Sequence, residues 1–100
     1  MIEILYFDGC PNHAGLESRI LDLLHRLRSD IPITVRRIDT DAQAQAEHFL
    51  GSPTVRVDGR DVEPDAQTRH AYGLMCRVYR TDEGLRGSPP DEWIAAALQA

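Results

Sequence analysis

The chain predicts an α/β domain built on a four-stranded mixed sheet, with helices on both faces. Three observations carry that expectation. An apolar, branched and aromatic run opens the chain, leads into a helical stripe and is followed by a second such run, the strand–helix–strand order of a parallel pair. Asp58-Gly59 joins two later alternating runs, a strong hairpin signal. The chain closes on an amphipathic stretch introduced by Pro89-Pro90. One hundred residues, 42% of them apolar, supply one modest core and not two, so 1–100 reads as a single domain.

Each element follows from its residues. Residues 2–8 read as a buried strand bounded by Asp8-Gly9. Residues 13–28 read as a helix, because Leu16, Ile20, Leu23, Leu24 and Leu27 fall on one stripe, with Pro11 suited to the first turn. Asp30-Ile31-Pro32 ends it, and 33–38 is a second strand. Asp39-Thr40-Asp41 offers capping oxygens to a short helix over 41–49, with Gly51 as its terminator. Residues 54–57 and 61–63 flank the hairpin turn. The last helix spans about 90–99, capped by Ser88, with Trp93, Ile94, Ala97 and Leu98 as its buried stripe. The order is β-α-β-α-β-β-α. The stretch 64–87 is an insertion too long for a simple connection. Its Tyr72, Leu74, Met75, Val78 and Tyr79 predict packing, with a short strand over 76–80.

Composition excludes several function classes. A net charge of −5 lacks the basic face that nucleic acid requires. All eleven basic residues are arginine, and Arg36-Arg37 and the arginines from 77 to 86 read as solvated surface more readily than as a basic patch. No apolar run is long enough to span a membrane. The N-terminus carries no signal-peptide pattern, so the expected location is the cytoplasm. Two cysteines are too few for a disulfide scaffold or a closed zinc site, so neither a metal nor a cofactor is expected.

The chemistry centres on Cys10-Pro11-Asn12-His13, placed between the first strand and the first helix. A thiolate at a helix N-terminus gains from unpaired backbone N–H groups and the positive end of the dipole. Such sites lower a cysteine pKa from about 8.5 to roughly 3.5–7.5, which makes the sulfur nucleophilic at neutral pH. The alternative is a small buried hydrophobe. His13 as imidazolium would stabilise that thiolate, and as neutral imidazole would take the thiol proton. Its alternative is a solvated helix histidine. Asp8 reads as a turn cap, or as a proton acceptor.

Topology brings a second cysteine into play. The strand beginning near Pro53 runs antiparallel to the first and starts at the edge where Cys10 lies. The hairpin returns the chain to that edge, so Cys76 can fold over Cys10 and act as its resolving partner. A disulfide would need Cα atoms within about 7 Å. The alternative is a cysteine in a satellite core beside Met75 and Val78.

Strand, Cys-Pro-Asn-His, helix, and later Gly51-Ser52-Pro53-Thr54-Val55 before a Val-Asp-Gly hairpin resemble the thioredoxin-like superfamily. The likeness is closer to small bacterial thioredoxin-like proteins that share Tyr-Phe-Asp-Gly-Cys-Pro-Asn, Gly-Ser-Pro-Thr, Cys-Arg-Val-Tyr-Arg-Thr and a Pro-Pro before the last helix. Relatives of that group include selenoproteins, with selenocysteine at the position matching Cys10, and proteins labelled alkylmercury lyase-like. The resemblance implies a thioredoxin-like fold in which His13 replaces the usual second cysteine. It implies a cis Ser52–Pro53 bond facing the thiol, and a substrate platform formed by Pro11, Asn12, Ser52, Pro53 and Thr54. The alternative for Pro53 is a trans proline opening a strand.

The leading expectation is therefore a thiol-dependent redox protein. Cys10 would attack a disulfide or be oxidised to a sulfenic acid, and Cys76 or an external thiol would resolve the product. The expected partner is a thiol- or disulfide-containing protein or a low-molecular-weight thiol. Two other expectations stand beside it: a thiolate binder of soft ions such as Hg(II) or Cu(I), and a partner-binding domain without activity. Nothing in the residues sets an oligomeric state.

Overall fold

In a computed structural model that describes residues 1–99, β1 (Ile2–Tyr6) occupies the interior of the sheet. It pairs in parallel with β2 (Ile33–Arg37) and antiparallel with β3 (Thr54–Val57), and β3 pairs with β4 (Arg60–Asp61). The order β2-β1-β3-β4 makes a four-stranded mixed sheet. The parallel pair needs a crossover, which α1 (Leu16–Arg26) supplies. The antiparallel β3–β4 pair needs only Asp58-Gly59, both at positive φ (51° and 84°), the conformation of a type I′ turn.

Strand alternation divides the core between the two faces. Ile2, Ile4, Val55 and Val57 meet Leu16, Ile20, Leu23 and Leu24 of α1 and Ile94 of α3 (Asp91–Gln99). On the opposite face Leu5 packs with Ile38, Ala44 and Phe49, under the short helix α2 (Asp41–Ala46). Each fully buried aliphatic side chain contributes about 1.5–3 kcal/mol by leaving water. Thr40 caps α2 in a reciprocal capping box with Gln43.

Three expected boundaries are corrected. The helix expected over 13–28 is shorter at both ends: Pro11–His13 form a separate 3-10 turn, Ala14 is extended, Gly15 at φ 78° stands just before α1, and α1 runs only over Leu16–Arg26. Ser88 does not cap the last helix, because its hydroxyl accepts from Arg19 at 2.9 Å and α3 starts only at Asp91. Helix α2 ends at Ala46, so Gly51 is not its terminator. The insertion packs through Tyr79 and partly through Tyr72, but Leu74, Met75 and Val78, expected to pack, are exposed, and the strand expected over 76–80 forms instead at Tyr79–Thr81. The insertion contains a 3-10 turn, Ala66–Thr68, and a small hairpin of β5 (Tyr79–Thr81) and β6 (Gly84–Arg86). Among the described residues no helix is long and apolar enough to cross a membrane.

Candidate functional site

The expected site residues converge on the edge of the sheet where β1 ends and β3 begins. Cys10 lies just past β1, held by an N–H bond to the Phe7 carbonyl at 3.3 Å. The Ser52–Pro53 bond is cis, as the resemblance implies. The Cys10 thiol donates to the Ser52 carbonyl oxygen at 3.5 Å, which ties the first turn to the proline turn.

A strap formed by residues 73–79 lies across this junction. Gly73 N–H donates to Phe49 at 3.0 Å, Ser52 N–H donates to Met75 at 2.8 Å, and Arg77 N–H donates to Ser52 at 2.9 Å. These bonds make a parallel bridge between Ser52 and Cys76. The bridge explains why residue 51 is glycine. Its φ of 123° suits no other residue, and a Cβ there would sit 3.0 Å from both the Arg77 Cβ and the Met75 carbonyl.

Arg77 pins the strap. Its side chain is 0% exposed. Its Nη1 donates to the Asp61 carboxylate at 2.7 Å and to the Thr54 hydroxyl at 3.0 Å, and its Nη2 donates to Asp61 at 3.0 Å and to Glu63 at 2.7 Å. The guanidinium also lies 4.5 Å over the Tyr79 ring. Burial works against its charge, but the bonds to Asp61 and Glu63 outweigh it and raise the Arg77 pKa. Its Nε is buried without a partner. Tyr79 is buried and donates its hydroxyl to the Pro53 carbonyl. Burial raises the Tyr79 pKa far above the ordinary phenol value, so this donor keeps its proton.

Two expectations are corrected here. Cys10 is 0% exposed, which is the buried alternative and not an open thiol. It also stands before a three-residue 3-10 turn, with α1 starting only at Leu16, so α1 does not present its N-terminus at the sulfur. The expected open substrate platform is likewise closed. Ser52, Pro53 and Thr54 are buried, and both backbone groups of Ser52 are taken by the strap. The Thr54 hydroxyl donates to the Gly51 carbonyl at 2.6 Å and accepts from Arg77. Pro11 and Asn12 remain exposed.

The hydrogen bond that His13 makes at this turn is to the Cys10 backbone, not to its sulfur. The His13 Nδ1 lies 2.7 Å from the backbone carbonyl oxygen of Cys10, so that nitrogen carries the hydrogen, and the His13 ring stacks on Tyr6 at 4.3 Å. Asp8 pairs with Arg37 at 3.3 Å. Arg36 and Arg37 are each paired with carboxylates, which accords with solvated surface.

Cys76 pairs with Ser52, whose carbonyl accepts from the Cys10 thiol, and Cys76 is exposed. Both thiols are free. A hydrogen-bonding interaction with Cys10 is the main cause that raises the Cys76 pKa above its ordinary value, followed by desolvation and the charge of Cys10. A satellite core around Cys76 is absent among the described residues, since Met75 and Val78 are 38% and 55% exposed. Arg77, expected as solvated surface, is buried instead, and Tyr79, expected to pack, is buried but with a bond to Pro53 that the sequence did not suggest. The Cys-Arg-Val-Tyr run showed them, but nothing in its period marks a charged residue for burial.

No three His, Cys, Asp or Glu side chains gather as a metal-holding group among the described residues. A cavity of about 700 Å³ lies between β4, the Ala66–Thr68 turn and α3. Asp61 and Glu63 form part of its wall, and neither cysteine lines it. No family model, curated protein or solved structure matches the chain.

Proposed function

We propose that this chain is a thiol–disulfide redox protein on a thioredoxin-like fold, with Cys10 and Cys76 as its two-electron couple. The observation that carries the reading is that two free thiols distant in sequence, Cys10 through its thiol and Cys76 through its backbone, are both tied to Ser52 at the proline turn. Sheet order and the position of Pro53 at the start of β3 support the fold assignment. In the usual arrangement of such folds the second thiol follows the first within one helical turn. Here His13 holds that place, and residue 76 returns the second thiol through space.

The couple works by exchange with an external thiol or disulfide, in a compartment such as the cytoplasm that keeps unpaired cysteines reduced. The partner is a thiol-bearing protein or a small thiol. Equilibrating the protein across a series of reduced and oxidised glutathione mixtures tests this. The expected result is one two-electron transition that includes both cysteines and disappears when either is replaced by alanine. Two cysteines that titrate independently, or form only adducts with glutathione, would contradict it.

A further inference from the structure

Resting on that reading, we propose that Cys76, not Cys10, is the sulfur through which the couple exchanges with its partners, and that Cys10 is the internal resolving thiol. The order is the reverse of what the sequence suggests, where the cysteine beside the first helix leads.

Access decides the assignment. Cys10 is 0% exposed, with its thiol directed at the Ser52 carbonyl. The backbone that would align an extended peptide beside it is already bonded to Met75 and Arg77. Displacing the strap means breaking those bonds, pulling Arg77 from Asp61 and Glu63, and freeing the Tyr79 hydroxyl from Pro53. Cys76 needs none of this, because it is exposed on the strap as it stands. The rate of thiol–disulfide exchange depends on which sulfur the incoming thiolate can reach, and of the two only Cys76 is exposed.

The steps balance. In the oxidising direction the Cys76 thiol loses its proton to solvent and its thiolate attacks an external disulfide. One sulfur–sulfur bond forms to Cys76, and the partner's other half leaves as a thiolate. Cys10, having lost its proton, attacks the Cys76 sulfur and expels the second partner thiolate. The external disulfide is reduced to two thiols while the protein couple is oxidised by two electrons. The reverse sequence begins with an external thiolate attacking Cys76, and the electron pair of the broken bond goes to Cys10.

The experiment uses the full chain under native conditions. Wild-type protein receives a brief pulse of iodoacetamide, and the labelled site is mapped by peptide mass. In parallel, Cys10→Ala and Cys76→Ala are challenged with glutathione disulfide. Expected are labelling of Cys76 at least tenfold ahead of Cys10 in the wild type, a stable glutathione adduct on Cys76 in Cys10→Ala, and an adduct on Cys10 in Cys76→Ala that forms at least tenfold more slowly. An internal disulfide in the wild type together with Cys10 labelled first overturns this assignment alone. Absence of any internal disulfide after oxidation overturns the redox couple, and the assignment with it.

Discussion

The amide of Arg77 donates to the carbonyl oxygen of Ser52 at 2.9 Å, and the amide of Ser52 donates to Met75 at 2.8 Å. Those two bonds put residue 76 opposite the proline turn and use both backbone groups of Ser52. The chain therefore supplies its own strand where the family resemblance led one to expect a visiting peptide. Cys10 is buried and Cys76 exposed in this arrangement.

Arg77 is the anchor of the strap, and its loss is expected to be costly. Arg77→Met keeps the bulk but leaves Asp61 and Glu63 without the cation that faces both. Removing one partner from a buried charge cluster costs about 3–5 kcal/mol. Denaturant unfolding of the reduced protein measures that loss, and native alkylation of Cys10 should accelerate at the same time. A change under about 1 kcal/mol would show that the network contributes little.

Gly51→Ala tests the same contact from beneath. The new Cβ would meet the Arg77 Cβ and the Met75 carbonyl at 3.0 Å, on a backbone at φ 123°. A non-glycine residue held in such a conformation costs about 1–3 kcal/mol. The strap should lift, so faster labelling of Cys10 is expected alongside reduced stability.

The Cys76 thiol should titrate above the ordinary cysteine value, because the hydrogen-bonding interaction with Cys10 favours its protonated form. The rate of Cys76 alkylation against pH reads this directly. Its midpoint is expected to fall back toward the ordinary value in Cys10→Ala. The linked stability has the matching sign. A raised folded-state pKa contributes stability that is fully present below the unfolded-state value and lost as pH rises through the folded one. An identical midpoint in wild type and variant would mean that the two thiols do not interact.

His13 is expected to be a local brace. Its ring bonds the Cys10 carbonyl and stacks on Tyr6. His13→Ala should cost about 1 kcal/mol of stability and leave the pH profile of thiol alkylation where the wild type has it. A shift of that profile would return to His13 the proton-handling role that its sequence position suggests.

Much of this was legible in the residues, and the omissions have physical causes. The stripe Leu16, Ile20, Leu23, Leu24 marks α1 because helix periodicity is a local signal, and Asp58-Gly59 marks its turn because few residues accept two successive positive φ angles. The break before α1 was harder to see. Pro11 fits a helical first turn as well as the 3-10 turn it occupies, and Gly15 alone hinted at the interruption. Topology placed residue 76 on the correct edge. Burial of Arg77 escaped and burial of Cys10 stood only as an alternative, because each depends on partners distant in sequence: Asp61 and Glu63 for one, Ser52 for the other. A charged side chain whose cost of burial is offset across the fold leaves no periodic trace.

The account rests on the pairing of two sulfurs whose residues the fold ties to the same neighbour, Ser52. Mild oxidation of the native protein at low concentration, followed by peptide mapping without reduction, tests it most directly. The expected product is a monomer two hydrogens lighter, with the Cys10 and Cys76 peptides joined. Recovery of both cysteines as free thiols, or of links only between separate chains, would contradict the account.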